Sequence, residues 1–139
     1  MKVKSTEFSV YSRGHTDLID ITPKVQKIVS ENKFKEGTAT VFVTGSTAGL
    51  TTIEYEPGLV EDLKEAFQRI APDDIDYAHH ERWHDDNGHS HVRASLLGPS
   101  LAVPFVDGTL TLGTWQQIVL IDFDTRERQR NLVVQIMGE

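Results

Sequence analysis

Thr38-Ala39-Thr40-Val41-Phe42-Val43-Thr44, then Gly45-Ser46-Thr47-Ala48-Gly49, then Leu50-Thr51-Thr52-Ile53-Glu54-Tyr55 sets two β-branched runs on either side of a glycine-bounded turn. Such runs read as strands with a short connection. Pro57 follows and opens a helix that presents Val60, Leu63, Phe67 and Ile70 at helical spacing, closed by Pro72. Upstream, residues 2–11 alternate with Phe8 and Val10 on one face, and residues 17–21 form a second short strand. Thr22-Pro23 reads as an N-cap and first-turn proline for a helix carrying Val25, Ile28 and Val29, which ends before Gly37. Downstream, Val92, Leu96 and Leu97 suggest a short helix capped by Ser90, and strands are expected over 101–106, 110–112, 116–123 and 132–137. About eight strands and three helices with short turns predict an α+β fold. The expected form is a mixed, mostly antiparallel β-sandwich, with residues 1–139 as one domain. Regular strand-helix-strand alternation is absent, which argues against a doubly wound sheet.

At 139 residues with 38% hydrophobic and 25% charged side chains, the chain is long enough to bury a core unaided. The N-terminus turns polar within Met1–Glu7 and no apolar run approaches a bilayer-spanning length, so a soluble, cytoplasmic protein without a membrane partner is expected. Zero cysteines exclude disulfides, thiolate nucleophiles and zinc-thiolate sites, leaving nitrogen and oxygen as the metal ligands. A net charge of -7 without a basic stripe excludes a general nucleic-acid binder.

Five of the six histidines fall between His79 and His91, in a stretch (73–88) with almost no apolar periodicity. Imidazole is the commonest metal ligand and titrates nearest neutral pH, so this density predicts a metal or acid/base site rather than five solvated loop histidines. If Ser90 is the N-cap, His89 lies outside the helix and His91 at its first position. The two can then converge, with His79 or His84 closing a three-nitrogen site. The Gly45–Gly49 turn has Thr47 between the glycines and a strand after it, which rejects a nucleophile elbow. Either an anion-binding turn using Ser46 and Thr47 or an ordinary glycine turn remains. Glu54 is expected to need a partner if it faces inward, and Arg93, near a helix start, hints at an anionic ligand unless it is a surface cation. Trp115 is expected in the core, and the alternating charges of Asp122, Asp124, Arg126, Arg128 and Arg130 on a solvated hairpin tip.

Several long blocks keep a common order: residues 45–54, Tyr77-Ala78-His79, Asp86 to Ser100, Leu112-Gly113-Thr114-Trp115-Gln116-Gln117 and the terminal Gly138-Glu139. In these the chain resembles the YjbQ-like family, the secondary thiamine-phosphate synthase enzymes. The resemblance implies a small α/β sandwich, a homotrimer and a histidine-lined pocket able to hold a metal. It also implies weak formation of thiamine phosphate from a pyrimidine diphosphate and a thiazole phosphate. His79 and His91 match recurrent family histidines and His89 one present in many members, while Gly45 stands where many relatives carry histidine. The resulting expectation is a small-molecule enzyme acting on a phosphorylated or carboxylated compound, with His79, His91 and Glu54 as catalytic groups. Zinc, magnesium or manganese would sit on His79, His89 and His91, with His84 as alternate, and Ser46, Thr47, Asn87 and Arg93 would orient the anion. A non-catalytic metal- or metabolite-binding trimer and a metal-assisted hydrolase are the alternatives.

Overall fold

A computed structural model describes residues 1–139 as eight strands and four helices. In chain order these are β1 (Lys2–Ser12), β2 (Asp17–Asp20), α1 (Thr22–Glu31), β3 (Glu36–Thr44), β4 (Ala48–Ile53), α2 (Pro57–Ile70), α3 (Ala78–Trp83), α4 (Gly88–Leu97), β5 (Ser100–Val106), β6 (Thr109–Leu110), β7 (Gln117–Asp122) and β8 (Arg128–Gly138). The strands form a five-stranded sheet ordered β1-β8-β3-β5-β6 and a three-stranded sheet ordered β2-β7-β4. Every pairing is antiparallel, as the expected α+β sandwich requires.

Pairing between sequence neighbours is nevertheless confined to β5 and β6. β3 and β4, the two runs around the glycine turn, belong to different sheets, so this turn is a corner of the sandwich rather than a hairpin. Close packing at the corner explains its glycines. A Cβ on Gly49 would stand 2.8 Å from Leu97 Cδ2 and 2.9 Å from the Gly98 carbonyl, so the end of α4 rests directly on β4. The Leu50 N–H donates to that same Gly98 carbonyl at 3.0 Å.

Two apolar clusters hold the layers together. Val10, Val25, Val29, Val41, Val43, Val134 and their neighbours, 18 residues in all, fill the space between the inner sheet faces and α1. A second cluster of six, including Phe67, Ala94, Val119 and Phe123, glues α2 and α4 to the outer face of the small sheet. β7 serves both, with Ile118 and Leu120 facing one cluster and Val119 and Ile121 the other. A strand buried on both faces reads as a continuous apolar run rather than an alternation.

Helix starts differ from expectation in three places. Thr22 is helical rather than a cap; its hydroxyl accepts the Ile118 N–H at 2.8 Å and so ties α1 to β7. α3 interrupts the predicted loop; none of its residues is buried, so it leaves no apolar period to read. α4 begins at Gly88, behind Asn87, and not after Ser90. Tyr77 packs against this start so closely that a Cβ on Gly88 would lie 2.5 Å from the Tyr77 Cβ. No helix is long and apolar enough to cross a membrane.

Candidate functional site

With α4 beginning at Gly88, His89, Ser90 and His91 are all helical. Successive helical residues rotate by about 100°, so His89 and His91 diverge by about 200°. His89 turns toward Tyr77, with ring centroids 6.3 Å apart, and lies buried in a separate acidic recess with Asp73 and Asp86. Ser90 points into the core, donating to the Phe123 carbonyl. His91 turns the other way and meets His79 of α3 at a centroid separation of 4.3 Å. The expected His79, His89 and His91 triad therefore does not converge. His84, the alternate ligand, closes α3 in the left-handed conformation (φ 57°) with its ring edge-on to His80 at 6.1 Å. No three His, Asp or Glu side chains of the chain are grouped as a metal centre would need.

What does assemble is an imidazole pair flanked by carboxylates. His79 Nε2 lies 3.1 Å from Asp85 Oδ1. The Asn87 amide sits between this pair and Asp124: turned one way it donates to Asp124 Oδ1 at 3.3 Å. Turned the other, it donates to Asp85 Oδ1 at 3.0 Å and His79 Nε2 at 3.2 Å, which is the better match of donors to acceptors. Burial lowers the pKa of His91 below the ordinary imidazole value and His79 adds to the effect, against opposing pulls from Asp124, Asp85 and the Ser46 carbonyl. At neutral pH His91 is thus a neutral acceptor of protons.

Beneath the pair lies a buried ion network. Arg130, only 2% exposed, grips fully buried Asp122 through two hydrogen bonds, Nε to Oδ2 at 2.8 Å and Nη2 to Oδ1 at 2.7 Å. Its Nη2 also donates to the Thr47 hydroxyl at 2.6 Å, and Thr47 passes its own proton to Asp124 Oδ2 at 3.0 Å. Burial alone would raise the Asp124 pKa, but hydrogen bonds from the Thr125 N–H, Thr47 and Arg128 hold it below the ordinary carboxylate value, joined by Asn87 when its amide is turned that way. Asp124 therefore stays anionic next to His91.

Several expectations need correction. Thr47 is buried and its hydroxyl is consumed by Arg130 and Asp124, so it does not face an anion. Ser46 is exposed, and it is its backbone rather than its hydroxyl that acts on His91, raising the imidazole pKa. Arg93 is buried on the far side of α4, where its guanidinium is used up on the Ala71 carbonyl, Thr16 and Gln68. Glu54 lies exposed just past the end of β4. Ser46, just before β4, is the part of this region that acts on His91, and Glu54 lies beyond the opposite end of the strand, about 20 Å of extended chain from Ala48. Trp115 is 72% exposed, and the supposed hairpin tip buries Asp122, Asp124 and Arg130. Gly45, at φ 149°, faces the Arg130 guanidinium; a Cβ there would lie 2.6 Å from Nη1. A side chain at this corner and the present seat of Arg130 exclude each other.

The missed residues carried one readable signal. Asp122 and Asp124, like Arg128 and Arg130, are two apart, so in extended backbone each pair shares a face.

The sequence model of the family described as UPF0047 protein YjbQ-like matches residues 6–139. A UPF0047 protein of Methanothermobacter thermautotrophicus is 33% identical over 139 residues, covering 100% of this chain and 95% of that protein. Another, from Archaeoglobus fulgidus, is 34% identical over 127 residues, or 91% and 97% of the two chains. Among solved structures, a YbjQ-like protein of unknown function from Sulfolobus solfataricus superposes with a TM-score of 0.89 at 33% identity, covering 99% and 100% of the chains. An uncharacterized conserved protein from Clostridium acetobutylicum gives 0.86 at 35% identity, covering 95% and 99%.

Proposed function

Because this chain belongs to the UPF0047 YjbQ-like family, we propose that its His79–His91 pair is the acid/base centre of a small-molecule enzyme of the secondary thiamine-phosphate synthase type. The observation that carries the proposal is the 4.3 Å approach of two imidazoles from different helices, with Asp85 on His79 and the charge of Asp124 acting on His91. Two adjacent imidazoles do not both hold a proton comfortably, so one is suited to donate while the other accepts.

In the reaction so proposed, the bond from the pyrimidine methylene carbon to the diphosphate oxygen breaks, and a bond from that carbon to the thiazole nitrogen forms. The diphosphate leaves with the electron pair. His79, oriented by Asp85, would donate a proton or a hydrogen bond to the departing diphosphate oxygen; forming the C–N bond releases no proton, so neutral His91 would serve to return a proton from solvent to His79 between turnovers. Asn87 suits both protonation states of His79. Its amide can donate to His79 Nε2 when that nitrogen is bare and to Asp85 when it is protonated.

A resident zinc, magnesium or manganese ion does not fit the donor set of the single chain, since His79, His91 and Asp85 are not grouped about one point as three ligands would be. The residues are therefore assigned proton-transfer roles only. Assembly as a homotrimer belongs to the same reading. It is supported by the outward face of β3, β5 and β8, where Thr38, Thr40, Phe42, Ala102, Gln135 and Met137 form rows without a charge in a chain that is 25% charged. Depletion of charge is the compositional mark of an interface core.

The deciding experiment supplies the purified protein with both phosphorylated precursors and follows thiamine phosphate, alongside thermal shift with each precursor and with zinc, manganese and magnesium. Turnover abolished in His91→Ala supports the synthase. Stabilisation by metal alone without turnover favours a binding protein, and unaltered turnover in His91→Ala removes the pair from the mechanism.

A further inference from the structure

Beside the imidazole pair, the turn leading into β8 and the loop between α3 and α4 enclose a pocket of about 490 Å³ without one apolar lining residue. Its walls are His84, Asp85, Asp86 and Asn87 on one side and Asp124, Thr125, Arg126 and Arg128 on the other. The volume is that of a small-molecule site, and such a lining disfavours any ligand without charge or dense hydrogen bonding.

The charges of this lining are not equally available. Asp124 already accepts from Thr47, the Thr125 N–H and Arg128. Asp85 is committed to His79, and Asp86 extends into solvent toward His80. The cations are the free groups. Arg128 spends only Nη1 on Asp124, and Arg126 has neither an ion pair nor a side-chain hydrogen bond. Against the three carboxylates of the lining, these two guanidinium groups are the ones with N–H donors to spare. Guanidinium forks match phosphate oxygens in geometry as well as charge.

We infer that this pocket seats a terminal phosphoryl or diphosphate group of a small molecule, with Arg126 and Arg128 as its anchors. Asp85 and Asn87 belong both to the pocket and to the histidine pair, so a group held here ends next to His79. The inference rests on the acid/base reading and deepens it, placing the leaving group where proton donation is available. It also supplies the cation that buried Arg93 cannot.

The test is calorimetric titration of the full chain with inorganic pyrophosphate, with orthophosphate and sulfate as separate arms. Binding of pyrophosphate is expected to weaken with added salt and to fall by about ten- to a hundredfold in Arg126→Ala, the range set by one charge-assisted hydrogen-bond pair. Arg126→Lys should recover part of the loss. Because Arg126 has no partner in the fold, its removal leaves the melting temperature unchanged, and Arg128→Ala, which also frees Asp124, is the supporting variant. His91→Ala should bind pyrophosphate within about twofold of wild type, the variation expected of a site left intact. If that variant loses turnover but keeps the anion, both readings hold; if it keeps turnover while Arg126→Ala loses the anion, the acid/base reading alone fails. Absence of pyrophosphate binding, equal binding of sulfate, or undiminished affinity in Arg126→Ala overturns the inference.

Discussion

The imidazole of His91 lies across that of His79 at 4.3 Å between ring centres, with the ring planes tilted by 49°. The two residues stand on separate short helices, and no turn of either helix alone brings them together. The helices meet where Gly88, the first residue of α4, leaves room for Tyr77, the cap of α3.

His91→Ala is expected to lower kcat by about a hundredfold to ten-thousandfold, the usual contribution of a positioned acid or base. His91 is half-buried and outside both apolar clusters, so the variant should remain folded. Steady-state kinetics together with a melting curve check this.

Acidification should destabilise the fold below about pH 6.5, the unfolded imidazole value. His89 and His91 both have pKa values lowered in the fold, principally by burial, with Arg93 adding for the first and His79 for the second. Between the lowered folded value and the ordinary one, the unfolded chain binds more protons than the native chain, so stability rises with pH through that window. Denaturant midpoints at pH 7.5 and pH 5.5 measure the difference, and His89→Gln should reduce it. A midpoint that rises on acidification would contradict the sign.

Arg130→Met is expected to cost about 3–5 kcal/mol, since it leaves Asp122 charged and buried without its counter-ion. Replacing both partners, Asp122→Leu with Arg130→Met, should recover much of that loss in equilibrium unfolding, because no unpaired charge then remains. Turnover should stay impaired in the double variant, because Thr47 and Asp124 lose the donor that orders them.

Gly88→Ala should cost about 1–3 kcal/mol by overpacking, with the new methyl 2.5 Å from the Tyr77 Cβ and 2.7 Å from its Cγ. Displacement of Tyr77 moves the start of α3, so activity should fall with stability. Calorimetric melting and the assay on one preparation test the coupling.

Glu54→Ala, by contrast, should leave kcat unchanged and stability within about 0.5 kcal/mol, as for an unpaired surface side chain. A large loss of activity would restore Glu54 to the site.

Much of the fold was legible because its signals are local. β3 and β8 alternate along their length, and α2 announces itself through Pro57 and the spacing of its apolar residues, with Glu56 capping the Gly58 and Leu59 N–H groups. The buried charges were not legible. Asp122 and Arg130 look like solvated residues until β7 and β8 bring opposite charges together in the interior.

The chain alone determined the strands, the helices other than α3, the α+β class and the concentration of imidazoles between residues 79 and 91, since propensity, alternation and composition act over a few neighbouring residues. Tertiary structure decided that β3 and β4 part into different sheets, that Arg93 and Thr47 are spent internally, and which histidine meets which. Those outcomes depend on register and helix phase. The observed cap of α4, Asn87, lies three residues before the expected one, Ser90, which brings His89 into the helix, where each step rotates a side chain by about 100° and sends His89 and His91 to different sides.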